Sequence, residues 1–105
     1  VPTLVFDEVD TGIGGGVAEI VGRQLRALGA AGQSLCVTHL PQVAAQAAHH
    51  LHVAKQVRNG HTSTRITYLD ADTRVEEIAR MLGGVDLTEE SLAHARKMVT
   101  SAQAA

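Results

Sequence analysis

The chain is nearly devoid of aromatic residues: Phe6 and Tyr68 are the only two among 105, and tryptophan is absent. A core without large rings must be built from Leu, Val, Ile and Ala. The single cysteine, Cys36, allows no internal disulfide and fits a reducing compartment. Its mid-strand position reads as a small buried hydrophobe rather than a nucleophile. No apolar stretch approaches the ~20 residues of a membrane-spanning helix, and no signal peptide is visible. Positive charge is not in excess either, since nine Lys and Arg stand against eleven Asp and Glu for a formal charge of −2. That excludes the basic field of a segment built to hold nucleic acid by itself. What remains is 45% hydrophobic and 19% charged, the composition of a soluble globular piece. Its length bounds it to one small domain at most, residues 1–105.

The most informative stretch is Val1-Pro2-Thr3-Leu4-Val5-Phe6-Asp7-Glu8-Val9-Asp10. A short apolar run, rich in β-branched and aromatic residues, reads as a buried strand. It stops in two adjacent carboxylates, with a third acid at Asp10 and then the glycine-rich Thr11-Gly12-Ile13-Gly14-Gly15-Gly16. Many strands end in an acid that merely caps a helix or faces solvent, but three acids in this spacing are harder to read that way. Acids at the C-terminal end of a strand stand at the open edge of a parallel sheet, where ligands of α/β folds bind. A hard cation takes oxygen ligands there and keeps several waters. A neighbouring acid can orient or deprotonate a nucleophile. A second apolar run, Ser34-Leu35-Cys36-Val37-Thr38, ends in His39 and continues as Leu40-Pro41-Gln42. If the two strands are parallel neighbours joined by a crossover helix, Asp7 and His39 emerge on the same edge. Taken alone His39 is a loop or helix-start histidine; paired with Asp7-Glu8 it becomes a donor for a phosphate oxygen.

These residues carry a family resemblance. Leu4-Val5-Phe6-Asp7-Glu8 resembles the Walker B motif of ABC-type ATPases, and Val9-Asp10-Thr11-Gly12 resembles the D-loop that follows it. Val37-Thr38-His39-Leu40-Pro41-Gln42-Val43-Ala44 is similar to the histidine switch of the SMC-like branch. With Arg74-Val75-Glu76-Glu77-Ile78-Ala79-Arg80-Met81-Leu82-Gly83-Gly84, the wording from Thr3 to about Val99 resembles the C-terminal part of the bacterial RecN family of DNA repair ATPases. One departure is the run Gly14-Gly15-Gly16, where a more mixed set of small residues is expected. The resemblance implies Asp7 as the Mg²⁺-side acid, directly or through water, and Glu8 as the residue that polarises the attacking water. It implies His39 as a sensor of the γ-phosphate, and Asp10 and Gly12 as nucleotide-side residues on the surface that meets an opposing head. It also implies ATP sandwiched between two heads of a homodimer, DNA reached by the complete protein, and a cytoplasmic, nucleoid-associated location.

Two motifs are missing. No G-x-x-x-x-G-K-[ST] run is present, so no phosphate-cradling P-loop, and no Ser-Gly-Gly stretch stands for the ABC signature. The expectation is therefore an α/β fold, the C-terminal lobe of an ABC/SMC-type ATPase head whose P-loop lobe lies elsewhere. The segment alone is expected to be inactive. The other function class is an inert α/β docking module offering its hairpin and terminal helices.

Periodicity places the remaining elements. Val17, Ile20, Val21, Leu25 and Leu28 recur at helical spacing, with Gly29 and Gly32 as stops. Pro41 suits the first turn of a short helix over 41–48. Asn59-Gly60 marks a type I′ hairpin, with Val53 opposite Ile66 and Leu51 opposite Tyr68, one face apolar and covered. Thr73-x-x-Glu76 predicts a capping box for a helix stopped by Gly83-Gly84. Thr88 predicts the cap of a last helix that buries Leu92, Ala95 and Val99 and is stapled by Leu87, with a frayed tail from Thr100. His49, His50, His52 and His61 crowd the hairpin, but they alternate faces and lack a Cys or acid at ligand spacing, so a solvated face is the reading rather than zinc.

Overall fold

The computed structural model describes residues 2–7, 11–83 and 86–104. The elements run β1 (Thr3–Asp7), α1 (Gly15–Ala31), β2 (Gln33–Val37), α2 (Pro41–Ala44), β3 (Leu51–Arg58), β4 (His61–Tyr68), α3 (Ala71–Gly83) and α4 (Glu89–Ala104). The α/β order is the one expected. Strands β1 and β2 pair in parallel, from Thr3 opposite Gln33 to Asp7 opposite Val37. Parallel neighbours need a crossover, and α1 supplies it. The hairpin forms a separate two-stranded sheet.

In the hairpin the turn dictates the register. Asn59 and Gly60 both have positive φ, 52° and 76°, the signature of a type I′ turn. Arg58 therefore meets His61, Val53 meets Ile66 and Leu51 meets Tyr68, as expected. The side that turns inward is the reverse of the expectation. Leu51, Val53, Val57, Ile66 and Tyr68 are all exposed, Val57 by 70%. The half-buried positions are His52, Ala54 and Gln56 on the other face, where His52 Nε2 lies 3.6 Å from Glu77 of α3.

Helix α1 also differs from the expected stripe. Val17, Ile20 and Leu28 are exposed, while Ala18 and Gly22 are buried. Close approach decides this. A Cβ on Gly22 would sit 2.8 Å from Gln46 Cγ and 3.1 Å from the Gln42 carbonyl oxygen, so the close approach of α1 to the α2 segment needs a residue without a side chain there. The helix runs past Gly29 and stops at Gly32.

The core lies between α3, α4 and the end of α2. Ile78, Ala79, Ala95, Ala44 and Ala45 are its buried members, flanked by Val75, Leu82, Leu92 and Val99. Those α3 and α4 stripes are the predicted ones. The cap of α3 is not: Asp70 replaces Thr73, accepting from the Thr73 N–H (2.8 Å) and hydroxyl (2.8 Å). An Asp one turn earlier gives the exposed amides a carboxylate acceptor, and those bonds hold the Asp70 pKa below the ordinary carboxylate range. At α4, Thr88 is the cap, in a reciprocal pair of bonds with Ser91 (Ser91 N–H to Thr88 Oγ1, 3.0 Å; Thr88 N–H to Ser91 Oγ, 2.9 Å). Leu87, expected to staple the turn, is 37% exposed. The expected frayed tail is instead helical through Ala104 with Ala102 buried, and Gly84 lies outside the described residues.

Much surface is left open. The radius of gyration is 14.4 Å, against roughly 13 Å for a compact domain of this length. The accessible surface is 7261 Å², against about 5,600 Å² for a folded monomer of this mass. The difference matches apolar faces that lack a covering layer, on the hairpin and on β1–β2, where Val5 and Val37 are 68% and 62% exposed. No helix among the described residues is long and apolar enough to cross a membrane.

Candidate functional site

The register of β1 and β2 builds the site. Asp7 is the last residue of β1 and pairs with Val37, the last of β2. His39 follows two residues later, in the turn before α2. An acid and a histidine thus leave the sheet at one edge, and both are exposed. Glu8 and Asp10 lie outside the described residues. Gly12 follows in a turn with φ +79°, a left-handed conformation that side-chain-bearing residues rarely adopt.

The turn around His39 is fixed on both sides. The Leu40 N–H donates to Thr38 Oγ1 at 3.0 Å, and the Leu40 carbonyl accepts from the amides of Val43 (3.1 Å) and Ala44 (3.0 Å). Pro41 opens α2 where its missing N–H costs nothing. Helix α2 was expected to reach Ala48 and ends at Ala44. The amides of Gln46 and Ala47 donate three residues back, to the carbonyls of Val43 (3.1 Å) and Ala44 (3.2 Å), in a tighter turn than the α-helix. The carbonyls of 44 to 47 meet side chains from distant helices instead: Arg74 on α3, Gln103 on α4 and Arg26 on α1. Sequence reading missed these three residues. Arg74 carried a legible signal, since it stands one helical turn before Ile78, in phase with the buried stripe.

Among the hairpin histidines, His49 Nδ1 lies 2.7 Å from the Tyr68 hydroxyl. No three His, Cys, Asp or Glu side chains converge as a metal site among the described residues. His50 is half-buried and its Nδ1 has no hydrogen-bond partner. Burial first, then the Arg74 guanidinium and His52, hold its pKa below the ordinary value, against the pull of Glu77. The folded state therefore favours neutral His50. Its contribution to stability is complete above about pH 6.5 and is lost as pH falls through the lowered folded pKa. Stability should decline as pH falls below about 6.5, and His50→Gln should flatten that part of the profile; an unchanged slope would refute it.

A cleft of about 450 Å³ lies between α1, α2 and α4, lined by Glu19, Arg23, Gln46, His94, Lys97 and Met98 among others. Neither Asp7 nor His39 borders it, and Arg23 is paired with Glu19 at 2.6 Å. It is given no chemistry.

These elements define an α/β protein segment in which an acid and a histidine close two neighbouring parallel strands. The sequence is 57% identical over 103 residues to the DNA repair protein RecN of Xylella fastidiosa, covering 98% of this chain and 18% of that protein. It is 52% identical over 101 residues to the DNA repair protein RecN of Vibrio cholerae, covering 96% of this chain and 18% of that protein. For the DNA repair protein RecN of Bacillus subtilis the identity is 42% over 102 residues, 97% of this chain and 18% of that protein. No protein-family model matches. The chain is similar to the C-terminal part of RecN and spans about 18% of the length of these relatives.

Proposed function

We propose that this chain is the C-terminal lobe of an SMC-like, ABC-type ATPase head serving DNA double-strand break repair and recombination. The observation that carries the reading is the shared edge of Asp7 and His39 in a chain so similar to RecN. The open apolar faces support a partner lobe with the P-loop, and a homodimer of ATP-sandwiched heads follows from the same resemblance. The complete protein would act on DNA in the cytoplasm, at the nucleoid.

The residues present fit Mg²⁺ and ATP. Asp7 is an exposed carboxylate at a strand end, a hard oxygen donor suited to a hard cation directly or through its waters. Mg²⁺, when bound, would neutralise charge on the phosphates. Glu8, next in the chain, would orient and deprotonate the attacking water. His39 would donate a hydrogen bond to a γ-phosphate oxygen, and Asp10 and Gly12 would line the side facing the opposing head. The segment alone carries no P-loop, so the repulsion of two carboxylates for a polyanion is unrelieved by backbone N–H groups or lysine.

In the full-length protein, Asp7→Ala should weaken Mg-ATP binding and turnover together. Titration with Mg-ATP and with ATP in EDTA separates the terms: the loss should vanish without the metal. A variant that loses turnover but binds Mg-ATP normally would remove Asp7 from the metal side. Full activity would favour the docking-module reading.

A further inference from the structure

The C-terminal end of α2 is held by side chains from three helices. Arg74 Nη2 donates to the carbonyl oxygens of Ala44 (2.9 Å), Ala45 (3.2 Å) and Ala47. Gln103 Nε2 donates to the oxygens of Ala45 (3.1 Å) and Ala47 (2.8 Å). Arg26 Nη1 donates to the Gln46 oxygen (2.8 Å) and to Gln103 Oε1 (3.0 Å), linking the donors to one another. Four consecutive carbonyls, 44 to 47, are thus gathered by α1, α3 and α4.

For stability alone this is an expensive arrangement. Arg74 is only 7% exposed, makes no ion pair among the described residues, and its Nε has no partner. A buried charge neutralised only by carbonyl dipoles is commonly no better than an apolar side chain of similar volume. What it does provide is a fixed place for α2. Between the clamped carbonyls and His39 there is one helical turn and Leu40, and every joint is bonded: Ala45 N–H to the Pro41 oxygen (2.9 Å), Val43 and Ala44 N–H to the Leu40 oxygen, and Leu40 N–H to Thr38 Oγ1. Gly22 adds a steric stop, bringing α1 against the Gln42 and Val43 backbone. The segment from Thr38 to Ala47 is thus linked along its length by hydrogen bonds, with His39 at one end and the clamp at the other.

We propose that Arg74, with Gln103 and Arg26, is a positioning device for His39, holding α2 so that the imidazole stands at the sheet edge beside Asp7. The inference rests on the ATPase reading of that edge. None of the three residues borders Asp7 or His39 in the sequence or the sheet; they act through α2.

The test is a double-mutant analysis in the full-length protein, with ATP turnover normalised to the nucleotide-binding stoichiometry of each preparation. Arg74→Met should lower kcat by about tenfold or more, since small misplacements at a reacting group cost up to about a hundredfold. KM for ATP should stay within about twofold, and Arg74→Lys should recover part of the loss because an ammonium still serves carbonyls. Gln103→Ala, at an exposed position, should give a smaller loss of the same kind and decides the matter if Arg74→Met does not fold. In a His39→Ala background, neither substitution should lower kcat further, because residues acting through one group are not additive. Equal fold-losses with and without His39 would overturn the proposal while leaving the ATPase reading intact. A His39→Ala protein with normal turnover would overturn the role of His39, and the proposal with it.

Discussion

Replacing Glu8 by Gln in the full-length protein is expected to slow ATP hydrolysis by about a hundredfold or more while leaving ATP bound. Glu8 directly follows Asp7, the last residue of β1, in the chain, and the proposed function gives it the part of the base for the attacking water. A positioned general base contributes roughly 10²- to 10⁴-fold. The amide keeps the shape and hydrogen-bonding reach of the carboxylate but cannot take the proton, so binding survives and chemistry does not. Single-turnover hydrolysis and equilibrium nucleotide binding read the two separately. Normal turnover by the Glu8→Gln protein would remove Glu8 from the chemistry.

The largest effect on stability is expected at Ile78. Its side chain is 0% exposed and is the largest fully buried one among the described residues. Its buried neighbours in the core are alanines, Ala44, Ala45, Ala79 and Ala95. Alanines have no atoms to swing into a void, so Ile78→Ala should leave a cavity and cost about 2–5 kcal/mol. Met81 and Met98, which pack against this cluster, are the flexible side chains able to refill part of it, and their collapse would move the cost toward the low end. Hydrogen exchange of the α3 and α4 amides reads the loss locally, even within a long chain. Protection unchanged after Ile78→Ala would show that the α3–α4 contact is not where the core energy lies.

What was legible in the sequence were the features set by near neighbours. Asn59-Gly60 fixes the hairpin register because both residues tolerate positive φ. The strand order and the shared edge of Asp7 and His39 follow from two apolar runs separated by a helix-length crossover. Thr88 caps α4 through its own i+3 neighbour. The misses have distant causes. Helix α2 stops early because its carbonyls are taken by residues 29 and 58 positions away in the chain, Arg74 and Gln103. On α1, periodicity selected Val17 and Ile20, but the neighbour's closeness selected Ala18 and Gly22. At α3 the expected cap was Thr73, and the acid three residues earlier, Asp70, takes that place by accepting from the Thr73 N–H. As for the candidate site, the sequence supplied residue types and spacing, whereas the carbonyl clamp needed three helices brought together.

The bare hairpin face has a consequence for how mutational data on this segment should be interpreted. Leu51, Val53, Val57, Ile66 and Tyr68 are half or more exposed, so in the 105-residue chain they have only part of a buried side chain's transfer free energy to lose. Polar replacements there should cost less than at a buried position. In a full-length chain the same five positions report directly on whatever lies over them. The difference between the two backgrounds, position by position, is therefore a footprint of the covering surface, obtained without ever observing it.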